Sequence, residues 1–254
     1  MSSSLKHFIN TTKFSRLTKF DNFFLSIDKP KGITSFDVIR KIRKKNPDLK
    51  LGHCGTLDPL ATGLLILAAN KATKKIDTFK DLDKSYSFTM KMGEQTSSYD
   101  SETPVIKTSD LWRNIKKEDI LNVISKMTGE IEQEVPIYSA IKVNGKRLYE
   151  TARKNETIET LPIKKIFIHS IELIKHEDQF LKFFVKCGKG TYIRSICNDI
   201  GKALNCFGHV TELRRESIGN YKVENAFKLD DFLMKIENKI STNEIQITKR
   251  SDGN

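Results

Sequence analysis

The sequence predicts an α+β fold. A run from Tyr86 to Met92 alternates apolar and polar residues with period two, the mark of a half-buried strand. Capped, amphipathic helical stretches occur at 34–45 and 191–204. Strands and helices are intermixed without a regular strand–helix–strand repeat, which favours α+β over a doubly wound parallel sheet.

Residues 23–27 (FFLSI) form a short apolar run that stops at Asp28-Lys29-Pro30-Lys31-Gly32, so a strand followed by a turn is expected. Thr34-Ser35-Phe36-Asp37 has the spacing of a capping box. Phe36, Ile39 and Ile42 recur behind it on an inner face, with Arg40, Arg43 and Lys44 on another. Glycines and Pro59 make 51–63 a loop leading into LLILA at 64–68, a buried strand or short helix. The polar stretch 93–103 reads as loop. A helix is expected at 118–126, closed by Gly129. A strand at 138–143 ends on the tight-turn pair Asn144-Gly145, and 147–154 looks helical. Further strands are expected at 163–174 and 180–187. A helix capped by Thr191 follows, with Ile193, Ile196, Ile200 and Leu204 inward, and a last amphipathic helix spans 226–240.

A net charge of +12 and a pI near 9.4 point to a polyanionic partner, nucleic acid before others, with solubility as the alternative role. No run approaches 18 apolar residues, so no membrane span is expected. Cys54, Cys187, Cys197 and Cys206 form no C-x-x-C pair or zinc spacing; a reducing compartment and buried, inert thiols fit them better. Residues 1–20 hold four basic residues, seven Ser/Thr and no acid. They suit a basic tail that touches RNA or an organellar targeting segment.

No phosphate-cradling, dinucleotide or nucleophile-elbow motif occurs, which leaves chemistry that side chains perform without a cofactor. Asp58 is the outstanding carboxylate, in a glycine-rich loop that a ligand can approach closely. Its alternative is an N-cap, with Pro59 as the first helical residue.

The motifs resemble a known family. His53-x-Gly55-x-Leu57-Asp58-Pro59-x-Ala61-Thr62-Gly63 is similar to the catalytic loop of TruB-type pseudouridine synthases. Asp28-Lys29-Pro30-x-Gly32-x-Thr34-Ser35 and Lys84-Ser85-Tyr86 resemble their first motif and tyrosine strand. Three more blocks follow in order: Ser139–Tyr149, Gly188–Arg194 and Gly208–Arg215. Together they cover residues 23–222. The family's G-x-x-T-D-T-x-D here lacks its first acid, replaced by Ser97, and keeps Asp100.

The resemblance implies a pseudouridine synthase fold, a mixed and mostly antiparallel sheet flanked by helices and loops. It implies a catalytic domain at 21–222, with 223–254 a short helix and polar tail rather than a complete PUA-type domain. It implies isomerisation of the T-loop uridine of tRNA (position 55) by a monomer, without metal or cofactor, in the bacterial cytoplasm, or in an organelle if residues 1–20 are a transit peptide. Asp58 would attack the ribose or remove a ribose proton, and one carboxylate suffices because the uracil leaves and returns. The target base must leave the folded T-loop. His53 would assist that flipping, or be a packed loop histidine. Tyr86 would stack on the flipped base, with its hydroxyl near C5, or simply fill the core. Arg194 would pair with Asp58 and keep it ionised, or bind phosphate. Tyr192 and Leu213 would line the base. Lys29, Lys31, Arg40 and the 138–159 insertion would hold phosphates.

Overall fold

A computed structural model describes residues 8–9, 22–143, 145–154 and 160–237. Most of the basic tail, Asn144 of the expected tight turn and the end of the last helix lie outside the described residues. Two compact units form, Asp83–Arg214 and the combination of Met1–Leu82 with Arg215–Asn254. The division falls inside the Gly208–Ile218 strand.

In the unit formed by the chain ends, the Phe24–Lys29 strand pairs antiparallel with Thr62–Ala69, from Phe24 opposite Ala68 to Lys29 opposite Gly63. The Leu51–Cys54 strand also pairs with Thr62–Ala69, so the expected loop begins only after Cys54. Apolar side chains cover both faces of this sheet. Leu25, Ile27, Leu65 and Leu67 pack with Val38, Ile39, Ile42 and Phe232. Phe24, Leu64, Ile66 and Ala68 pack with Ala72, Ile76, Phe79 and Ile218. Burial on both faces explains why LLILA shows no alternation, and why the sequence left strand and short helix both open.

Thr34 caps the Ser35–Lys45 helix, and both halves of the capping box form with Asp37. The buried stripe is Ser35, Val38, Ile39 and Ile42, at spacings of three and four. Phe36 falls off that stripe and is 60% exposed, which corrects its expected inward position. The last helix begins at Leu229 rather than Ala226, because Phe227–Lys228 instead adds a short parallel strand beside Ile27 and Asp28.

In the central unit, antiparallel strands Lys84–Met92, Phe180–Cys187, Ile163–Glu177 and Gly129–Glu134 lie side by side in that order. The alternation read at Tyr86–Met92 is realised, and Phe88 stacks on Phe183 across the ladder at 5.1 Å between ring centroids. Gly129, expected only to close a helix, has φ +100° and opens a strand. Within 93–103, Glu94–Thr96 pairs with Val105–Thr108 where loop was expected. Only Lys142–Val143 of the expected 138–143 strand forms. The carbonyls of Ser139 and Ile141 instead accept from Tyr149 and Leu148 at the start of the next helix. Helix Ile193–Ala203 starts after Tyr192; Thr191 does not cap it, since its hydroxyl donates back to the Gly188 carbonyl at 3.0 Å. No helix among the described residues is long and apolar enough to cross a membrane.

Candidate active site

Asp58 sits half-buried between two strands, Leu51–Cys54 and Thr62–Ala69. No helix begins after it. Its carbonyl accepts from the Ala61 amide at 3.0 Å, and the chain then enters a strand. The N-cap alternative therefore falls, because there are no first-turn amides for the carboxylate to satisfy.

The loop around Asp58 is fastened residue by residue. Ser35, the first residue of its helix, accepts from the Leu57 amide at 2.8 Å and donates to the Leu57 carbonyl at 3.2 Å. The Pro59 carbonyl accepts from the Gly32 amide at 2.8 Å and from Lys29 Nζ at 3.4 Å. Lys29 Nζ also donates to Ile33 and Pro30 carbonyls at 2.7 and 3.0 Å. Lys29 is 0% exposed, so the expected phosphate contact is corrected: its ammonium ties the Pro30–Ile33 turn to the Asp58 loop. A buried ammonium ringed by carbonyls has met its hydrogen-bonding need without a ligand. Lys31 and Arg40 are exposed as a phosphate role requires, although Arg40 also pairs with Asp37.

His53 lies on the Leu51–Cys54 strand opposite Leu67. Burial chiefly, then the charges of Arg215 and Lys80, push its imidazole below the ordinary histidine range. Its Nδ1 is buried and accepts or donates no hydrogen bond among the described residues. A neutral imidazole follows at physiological pH.

In the central unit, Arg194 is 4% exposed in the first turn of its helix. Its two terminal nitrogens donate to the carbonyls of Ser98 and Tyr138, both at 2.9 Å. Its Nε lies 3.6 Å from a carboxylate oxygen of Asp100, itself 1% exposed. The other Asp100 oxygen accepts from the Ser98 hydroxyl and the Glu102 amide. Asp100 thus organises a turn in which Tyr99 adopts φ +60°, and it does so without an acid at position 97. The sequence offered one signal for this acid, its place at the end of a motif that lacks its first acid. Tyr86 is buried on its strand opposite Val185. Tyr192 is held through its backbone, its amide donating to Gln133 Oε1 at 2.8 Å and its carbonyl accepting from Gln133 Nε2 at 3.1 Å. Leu213 is buried on the Gly208–Ile218 strand.

The four cysteines are all buried and none forms a disulfide. Burial pushes Cys187 and Cys206 up to about 11, so both remain thiols and are poor nucleophiles.

The architecture is that of a pseudouridine synthase. A solved structure of an H/ACA RNP bound to a substrate RNA containing 2'-deoxyuridine matches with TM-score 0.61 at 27% identity over 83% of this chain. A Cbf5-Nop10-Gar1 complex matches with TM-score 0.64 at 29% identity, also over 83%. This chain spans about half the length of those solved chains, 52% and 53%. The model for the N-terminal domain of TruB family pseudouridylate synthases matches residues 40–193, and that for the tRNA pseudouridylate synthase B C-terminal domain matches 194–247. The chain is 46% identical to tRNA pseudouridine synthase B of Clostridium kluyveri over 81% of its length and 70% of that protein. It is 40% identical to the Chloroherpeton thalassium protein of the same name over 90% of its length and 96% of that protein. The chain belongs to the TruB family of pseudouridylate synthases.

Proposed function

We propose that this protein converts the T-loop uridine of tRNA (position 55) to pseudouridine, with Asp58 as the catalytic carboxylate. The observation that carries the reading is the Asp58 loop itself. Its backbone is fastened at Leu57 and Pro59 by buried side chains, while the carboxylate begins no helix. Such immobilisation serves a group that must meet a reacting atom in one geometry. The proposed sequence of events is flipping of the uridine, aided by a neutral His53, and stacking on Tyr86 against Leu213 and Tyr192. Asp58 then acts on the ribose, as nucleophile or base. The N1–C1′ bond breaks, the uracil turns, and a C5–C1′ bond forms. The C5 proton is then lost to solvent by way of the Tyr86 hydroxyl, and a proton is gained at N1. No electron is gained or lost overall, and neither metal nor cofactor is required. Arg194 is proposed as the charge that keeps Asp58 ionised. The protein is proposed to act as a monomer in the cytoplasm. The test is incubation of the purified protein with an unmodified tRNA transcript, followed by mapping of pseudouridine. One product at the T-loop uridine is expected; no product, or product at other uridines only, would reject the reading.

Tyr86→Phe keeps the stacking face and removes the hydroxyl. Binding of tRNA within about twofold of wild type is expected, with kcat lowered by about 10²-fold or more, the range of a lost proton-transfer group. An unchanged kcat would leave Tyr86 as a stacking platform alone.

Binding should be electrostatic. Exposed Lys31, Arg40, Arg147 and Arg153 remain available for phosphates once Lys29 is assigned to the interior. With about five phosphate contacts, log K should fall against log salt with a slope of roughly −3.5 to −4.5. A slope near zero would contradict this.

A further inference from the structure

Arg215 is among the largest fully buried side chains of the protein, 2% exposed. Its Nε donates to the Leu64 carbonyl at 2.7 Å, and one terminal nitrogen donates to the Gly55 carbonyl at 3.0 Å. Those two carbonyls stand on either side of the segment that carries Asp58. No other side chain described above bonds both of its ends. Ser35 and Lys29 hold its middle, at Leu57 and Pro59.

The fit leaves little room. Gly55 has φ +68°, and a Cβ there would stand 3.2 Å from the second terminal nitrogen of Arg215. Gly63 has φ +103°, and a Cβ there would stand 2.3 Å from the Arg215 carbonyl oxygen and 2.7 Å from its amide nitrogen. Backbone and side chain of one residue therefore set the position of both ends of the loop. Glycine makes that approach possible: a Cβ at position 63 would run into backbone, and one at position 55 would be strained by its positive φ and tight against the guanidinium. Among the described residues the guanidinium forms no ion pair, so its hydrogen bonds go to the loop carbonyls rather than to an acid.

We propose that Arg215 is the positioning residue of the Asp58 loop: its guanidinium fork clasps Gly55 and Leu64 and so fixes where the carboxylate stands. The proposal rests on Asp58 being the reacting group. Arginine suits the task because its planar fork spans two acceptors in fixed geometry, whereas the single ammonium of lysine cannot hold the same two directions. The proximity of the same charge to His53 helps keep that imidazole neutral.

The test compares Arg215→Lys and Arg215→Met with the wild type in the full chain. Single-turnover pseudouridine formation at saturating tRNA is expected to fall by about 30- to 100-fold in both, with tRNA Kd within about threefold, the scale of a misplaced catalytic group. Full recovery of rate by lysine would overturn the proposal, because charge and bulk would then suffice. A second readout needs no activity. The Ala61 amide, bonded to the Asp58 carbonyl, should exchange with solvent at least about tenfold faster in a folded Arg215 variant, relative to amides of the Phe24–Lys29 strand of the same unit. Equal protection in both places would mean that Arg215 merely stabilises the unit, and would also overturn the proposal. If the wild type made no pseudouridine, the functional reading would fail while the exchange measurement still decided the clasp. Should Arg215→Met not fold, Arg215→Lys alone carries both measurements.

Discussion

Asp58→Asn is expected to fold, to bind tRNA with wild-type affinity, and to form no pseudouridine. The side chain keeps its size, and the braces on the loop act through backbone atoms of Leu57, Pro59 and Ala61 that the change leaves alone. What is lost is the negative charge and the oxygen that meets the ribose. The expected fall in single-turnover rate is at least about four orders of magnitude, the scale seen when the group that performs a covalent or proton-abstraction step is removed. Release of tritium from C5-labelled uridine in a tRNA transcript measures it directly. The control is mass spectrometry for deamidation of Asn back to Asp. Turnover by intact Asp58→Asn above one part in a hundred of wild type would remove the carboxylate from the mechanism.

Arg194→Met is expected to damage stability and turnover together. Asp100, 1% exposed, would lose the guanidinium that stands 3.6 Å from its carboxylate, while the Ser98 hydroxyl and Glu102 amide still donate to it. The Ser98 and Tyr138 carbonyls would each lose a donor. Breaking a buried pair on one side costs about 3–5 kcal/mol, far more than an exposed pair contributes. Urea denaturation should show a loss of that size. The double variant Arg194→Met with Asp100→Asn removes the stranded charge, so it should recover part of the stability. It should not recover turnover, because the proposed partner of Asp58 is still absent. A double variant that regains wild-type kcat would reduce Arg194 to a brace for the 98–100 turn. An Arg194→Met protein as stable and active as wild type would refute both roles.

Some elements were plain in the sequence because a single local rule governed them. The strand at Lys84–Met92 shows its period because one set of side chains is fully buried and the alternate set less so. The helix at Ser35–Lys45 announces its start because a capping box is satisfied within four residues. Elements that answer to distant partners were less legible. The Glu94–Thr96, Gly129–Glu134 and Gly208–Ile218 strands carry polar side chains at many positions, and their place comes from pairing with other strands or hairpin arms. The expected 138–143 strand mostly disappears because its carbonyls find donors at Leu148 and Tyr149.

The same division applies to the candidate site. The sequence alone determined the family, the loop that carries Asp58, the strand that carries Tyr86 and the helix that carries Arg194, because each lies in a contiguous motif of constrained residues. Only the tertiary structure decided what the cations do. Lys29 and Arg194 read as basic residues suited to phosphate or carboxylate, Arg215 only as the end of a motif, and sequence cannot tell a buried cation from an exposed one. In the fold, Lys29 and Arg215 point inward to backbone carbonyls of the Asp58 loop, and Arg194 meets Asp100 from 94 positions away in the chain. Burial made the difference, since a cation withdrawn from water must find acceptors in the protein, and those acceptors are brought to it by strand pairing and not by proximity in sequence.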